Sequence, residues 1–291
     1  MANASIGTSV YTTVAAFSAA DEILGPERIN TPVTDAHRDW LDGTYVPCAP
    51  EVSKIPEIAS QATTDAGRHV AFLARHGWEA QCTNVPVGGF LTAAVLDVLV
   101  QWEKTGKQCT LPIDGTGQFQ AARLTDGAVA LHRNTETQAI VATLYTKTGD
   151  EVLLTMPDRE PTDARDLQRL TEAILMEEMK PCYDNEGIIF PMVDLVSKQS
   201  IDWLVGLQCR SPRGQFHVDE AVQQATLKMN HEGARARAAD EMVMRCMSTG
   251  RRPYVIDRPF LVIFRRPGLT HALFSAYASQ DAWKNPGGLG V

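Results

Sequence analysis

The side chains in this sequence best suited to moving a proton near neutral pH are its seven histidines. His69 and His76 lie within the apolar run HVAFLARHGW, and His132, His217 and His271 sit in or beside other strand-like runs. A histidine beside an aspartate or tyrosine would support acid–base chemistry without a cofactor. Asp240, in a stretch of separated charges, is a carboxylate placed to act or to gate. The bland alternative is that each histidine is a satisfied structural residue. Other chemistries lack their motifs: there is no Gly-x-Ser-x-Gly, no glycine pattern for a dinucleotide or a P-loop, and no His-Glu-x-x-His. The six cysteines are scattered singly, with neither Cys-x-x-Cys nor paired Cys/His spacing, so reduced, mostly buried thiols are expected rather than a zinc cage or a disulfide framework. Catalytic candidates are therefore His69, His76 and Asp240, with no metal and no cofactor expected.

Asp240 belongs to a connector that organises the chain. Ala225, Leu227 and Met229 alternate with Thr226, Lys228 and Asn230, the period of a strand with one face on a core. From Gly233 to Arg252 no period is sustained, and Arg235, Arg237, Asp240, Glu241, Arg245, Arg251 and Arg252 interrupt the sequence. A core cannot absorb so many separated charges, so residues 233–252 are predicted to form an exposed loop. Loops longer than about 12–15 residues are usually functional. Tyr254 to Phe264 then reads as a short strand ending near Ile256, a corner at Asp257-Arg258-Pro259, and a second strand from Phe260 that is buried on both faces.

These residues carry a resemblance. Tyr254-x-Ile256-Asp257-Arg258-Pro259-Phe260-Leu261-Val262-x-Phe264 resembles the C-terminal signature of the serpins, the serine-protease-inhibitor family. Upstream, the run from Ala225 through Asn230-His-Glu232-Gly233 and the following alanines is similar to the family's strand and alanine-rich hinge. Gly149 to Asp158, Ala164–Met179, Ile188–Leu195 and Trp203–Leu207 follow in family order. The resemblance implies an α+β fold of mostly antiparallel sheets with packed helices and a long exposed reactive loop. It is firm from about Gly115 to Tyr277 and weak before that. The chain is too short for the whole N-terminal helical layer of the family, and Gln223 stands where the family has a histidine that helps control sheet opening. If His69–Trp78 is the central strand, Val70 stands where the family has an asparagine.

Trapping of a protease requires the cleaved loop to insert as a strand, with every second hinge side chain buried. Counted from Gly233, the inward row is Ala234, Ala236, Ala238, Asp240, Met242, Met244 and Cys246. The alanines suit insertion. Asp240 does not, because a buried unpaired carboxylate costs several kcal/mol. By length from the hinge the scissile bond would be Met247-Ser248, and counting back from Asp257 allows a shift of one; Met247 would suit an elastase-like or chymotrypsin-like pocket, and Arg245 or Arg251 a trypsin-like one.

Along the rest of the chain, His69–Trp78 is predicted as a central strand and Phe90–Lys104 as the best amphipathic helix, with Leu91, Val95, Val98, Leu99 and Trp102 on one side. Strands are expected around Gly117–Ala122, Ala128–His132, Ala139–Tyr145 and Glu151–Met156, and a helix over Ala164–Met179. Residues 1–66 read as a divergent N-terminal segment packed onto a core of residues 67–291, giving one domain. With 44% hydrophobic residues the chain can bury a large core, and its net charge of −8 argues against nucleic acid. The longest apolar stretch is too short to span a bilayer, and no secretory signal is seen, so a cytoplasmic location is expected.

The expectation is a serpin-like protein that does not inhibit proteases and binds a small molecule or a protein partner, with cofactor-free catalysis as an extension. The alternatives are a serine-protease inhibitor with its bait near Met247-Ser248, and a structural interaction domain forming a homodimer.

Overall fold

A computed structural model describes residues 5–113, 115, 117–125, 127–234 and 251–289. Its largest sheet has seven strands, all antiparallel, in the order Ile6–Thr8, Phe274–Ala278, Phe260–Arg265, Glu151–Thr155, Ile140–Tyr145, Val129–Asn134, Met179–Pro181. The strand Phe260–Arg265 lies near its middle and is buried on both faces. Phe260, Val262 and Phe264 point into the main core, while Leu261 and Ile263 meet Leu167 and Ile174 of the helix Ala164–Met176. Asp163 caps that helix, its side chain accepting from Asp166 N. The corner after Ile256 falls where Pro259 requires it, and Tyr254–Val255 runs parallel to Ile188–Ile189 in a separate four-stranded sheet.

On the core side of the large sheet lies a ribbon of Val193–Ser200 paired antiparallel with Val222–Met229. Leu195, Leu227 and Met229 are buried and Val196 and Thr226 exposed, as the period-two pattern requires. The run Gly187–Leu195 is two strands, Ile188–Pro191 and Val193–Ser200, interrupted at Met192.

Two sequence expectations are reversed. His69–Trp78 is not a strand: Ala66–Arg75 is a helix capped by Asp65, whose side chain accepts from Arg68 N. His69, Phe72 and Leu73 turn inward while Arg68, Val70 and Arg75 are exposed, a 3.6-residue stripe hidden within an apolar run. Val70 is thus not at a central-strand position. Conversely, the expected helix Phe90–Lys104 is the strand Leu91–Leu96, with Leu91, Ala93 and Val95 buried and Thr92, Ala94 and Leu96 half-buried, followed by the two-residue strand Val100–Gln101. A continuous apolar run fits either period; here both faces are covered, as a buried strand needs. Ala93 and Val95 pack on Phe72, and Leu96 faces the core that holds the helix Val10–Ala19. The Leu91–Leu96 strand, paired with Ile58–Thr63, is therefore sandwiched between helices. The first 66 residues contribute Ile6–Thr8 to the large sheet and Tyr11, Val14 and Phe17 to its core.

Candidate ligand cleft

Leu91–Leu96 and Val222–Met229 each have one hydrogen-bonded neighbour strand, and among the described residues no ladder joins them to each other. Their continuations meet: Gly233–Ala234 pairs with Val100–Gln101, and Trp102 Nε1 donates to the Asn230 carbonyl over 2.9 Å. Between the strands is a cavity of about 470 Å³. Its walls carry Ala93, Val95, Ala225 and Leu227; the helix Val10–Ala19 closes it with Thr12, Ala16 and Phe17, and the helix Ala66–Arg75 with His69 and Leu73.

The helix beneath is fixed to the ribbon by Gln223. Its side-chain carbonyl accepts from Thr8 Oγ1 (2.7 Å) and Ser9 N (3.3 Å), and its amide donates to Ser9 O and Thr12 Oγ1 (both 2.8 Å). Gln223 is buried with its amide satisfied on both sides, so it clamps the helix N-terminus to the cleft wall. At the mouth, the Glu79 carbonyl accepts from Gln224 Nε2 (2.8 Å), and Gln81 bonds to Gln224 and Lys198. Cys82 lies here, its thiol pushed up by burial and by the neighbouring Glu220 carboxylate.

His69 is 4% exposed, lines the cavity, and its Nδ1 has no hydrogen-bond partner. Burial pushes its pKa below the ordinary value, so it is neutral at pH 7. No carboxylate among the described residues lies within ion-pair distance of it. His76 also lines the cleft, from an exposed position with its ring 5.0 Å from Phe72. The two candidate histidines therefore share one cleft, and among the described residues no aspartate or tyrosine is paired with either. Ala236, Ala238, Asp240, Arg245, Met247 and Ser248 lie outside the described residues. Gly233 and Ala234, expected at the start of the loop, are strand-paired.

Among the described residues the histidine that meets a carboxylate most closely is His271, whose Nδ1 is 2.9 Å from Glu172, whereas His217 and His231 lie 4.0 Å from Asp219 and Glu232. The adjoining Cys48 thiol and the Glu172 carboxylate raise its pKa to about 10. Sequence reading set His271 beside a strand without a partner, since Glu172 is brought to it only by the packing of a helix. Among the described residues, no cluster of three histidine, cysteine or acidic side chains has the geometry to hold a metal, and no helix is long and apolar enough to cross a membrane.

No family model matches the sequence. No curated protein matches it either. Solved structures do. Serpin48 of the insect Tenebrio molitor, described as a highly specific serpin, matches with a TM-score of 0.59 at 10% identity, over 95% of this chain and 92% of that one. Uncleaved ovalbumin matches with a TM-score of 0.59 at 14% identity, over 95% and 93% of the two chains. Thyroxine-binding globulin in complex with thyroxine matches with a TM-score of 0.56 at 11% identity, over 94% and 92%. At such identities the likeness is one of fold, and it spans nearly the whole of both chains: this protein has a serpin-like α+β fold.

Proposed function

We propose that the cleft between Leu91–Leu96 and Val222–Met229 binds a small molecule with an apolar body and one hydrogen-bonding group directed at His69 Nδ1, and that ligand binding rather than protease trapping is the work of this fold here. One observation carries the reading: a cavity of about 470 Å³, mostly apolar, is lined by a buried neutral histidine with an unused ring nitrogen. Ligand sites combine an apolar lining of about 300–1,000 Å³ with a few convergent polar groups. A buried ring nitrogen without a partner costs about 1–3 kcal/mol, which a ligand hydroxyl would recover. The thyroxine complex of a protein with this fold is consistent with the reading without locating the site.

The test uses 2-naphthol and naphthalene as probes, followed by fluorescence and by quenching of Trp78, which lines the cleft. Saturable binding of 2-naphthol is expected, weakened about tenfold by His69→Leu, with naphthalene unaffected by that change. Thr226→Trp, at an exposed position on the cleft wall, should block both. Failure of both probes to bind, or binding that Thr226→Trp leaves intact, would overturn the proposal.

A second reading draws on the same gap. Among the described residues the facing strand edges carry no ladder, and the expected loop follows Ala234, where the cleft closes, so a cleaved loop would have room between them. Limited proteolysis within residues 235–250 followed by thermal melting separates the two. A midpoint raised by tens of degrees supports insertion and bait near Met247-Ser248; an unchanged midpoint supports the ligand reading, in which Asp240 opposes insertion.

A further inference from the structure

A second pocket, of about 180 Å³, lies apart from the cleft, along the helix Ala164–Met176. That helix buries Leu167, Thr171 and Ile174. Along another stripe it carries Arg165, Gln168, Arg169 and Glu172, at the i, i+3, i+4, i+7 spacing that sets four side chains on one side. All four line the pocket, opposite Gly43 and Thr44 of the π-helical turn Leu41–Tyr45, with Trp203 and His271. π-helical turns are rare and are frequently found at functional sites.

The charges do not balance within the protein. Glu172 is already engaged, accepting from Gln168 Nε2 at 2.8 Å and sitting 2.9 Å from His271 Nδ1. Asp39 lies at the rim, mostly exposed, 3.5 Å from Arg165, whose guanidinium is over the Trp203 ring. Arg169 has no ion pair within 4.0 Å among the described residues. His271 is kept protonated by its neighbours, yet its Nε2 is buried without a hydrogen bond. Three cationic side chains thus border the pocket against two carboxylates, one of them engaged and the other in solvent.

From this arrangement we infer that the pocket binds a small oxyanion, a phosphate or carboxylate group, held by Arg165 and Arg169 with His271 behind them. The guanidinium groups match the planar and tetrahedral oxyanions through paired N–H donors. An anion would also add to the compensation of the imidazolium that the Cys48 thiol and the Glu172 carboxylate begin.

The experiment titrates the full chain with sodium phosphate, and separately with sodium acetate, at constant ionic strength set by chloride, reading tryptophan fluorescence and the ¹⁵N resonances of His271. Saturable binding of at least one anion is expected. Arg169→Gln, at an exposed helix position that tolerates glutamine, should weaken it at least about tenfold, the worth of one charge-assisted contact. Arg159→Gln, which removes an exposed arginine paired with Asp166 outside the pocket, should leave it unchanged. Phosphate binding alone would assign a phosphate group, and acetate binding alone a carboxylate. No saturable response to either anion, or a response equal in Arg169→Gln and the unaltered chain, would overturn the inference. Naphthol binding in the cleft does not depend on Arg169, so each site can fail without the other.

Discussion

Trp102 and Asn230 join the two sides of the cleft at its closed end: the buried indole N–H donates to the Asn230 carbonyl across 128 residues of sequence. Its ring also meets Phe190 edge-on, with centroids 6.4 Å apart. Trp102→Phe keeps an aromatic ring but leaves the carbonyl without its donor. The expected cost is about 1–3 kcal/mol, read from urea midpoints. A loss below a few tenths of that would mean that the bond does not hold the cleft shut.

Gly233 approaches the other strand so closely that a Cβ there would lie 2.3 Å from the Val100 carbonyl oxygen and 2.8 Å from Gln101 Cα. The obstacle is backbone, so it cannot swing aside. Gly233→Ala should separate Gly233–Ala234 from Val100–Gln101 at a cost of about 1–3 kcal/mol, and should speed proteolysis after the strand. Unchanged stability and cleavage would contradict the pairing.

His69 should lower stability in the unliganded protein. Replacing it by leucine removes a buried ring nitrogen without a partner and keeps the apolar contact with its neighbours, so His69→Leu should raise the unfolding free energy by about 1 kcal/mol while reducing 2-naphthol binding. A destabilised variant would show that the imidazole is satisfied within the protein and is not held open for a ligand.

The His271–Glu172 pair should make stability depend on pH in both directions. The pKa of His271 rises from an ordinary 6.5 to about 10 through the Cys48 thiol and the Glu172 carboxylate, so its contribution is whole below about pH 6.5 and fades as pH rises toward 10. Against the opposing effect of burial, hydrogen bonds from His271 and Gln168 hold Glu172 below its ordinary 4.5, so its contribution is whole above that pH and fades in acid. Urea midpoints between pH 6.5 and 10 should therefore fall, and fall less steeply in Glu172→Gln. Equal slopes would remove the carboxylate from the account.

Arg266 binds two carboxylates, Glu57 at 2.7 and 2.9 Å and Asp150 at 2.7 and 2.8 Å, and the Asp150 side chain is 5% exposed. Arg266→Met would leave Asp150 buried and unpaired, at a cost of about 3–5 kcal/mol. Asp150→Asn in the same chain should recover part of that loss, and its failure to do so would point to lost packing instead.

The C-terminal half was legible because its signals are local. The alternation in Ala225–Met229 and the proline that forces a corner before Phe260 each lie within a few residues of what they determine. The two reversed elements are apolar runs that fit either period. His69–Trp78 became a helix because Asp65 caps it and one stripe of it covers a strand, and Leu91–Leu96 became that strand because helices cover both its faces. His69 and His76 were legible as candidates by residue type, but the cleft they share was not. It exists only because Leu91–Leu96 and Val222–Met229, more than a hundred residues apart, come side by side without a ladder between them. The same holds for His271 and Glu172, and for the arginine-lined pocket beside them. Sequence by itself determined the fold class and the local strand and turn chemistry of the C-terminal half; tertiary packing alone decided which polar groups face one another, because those distances are set by how layers stack and not by spacing along the chain.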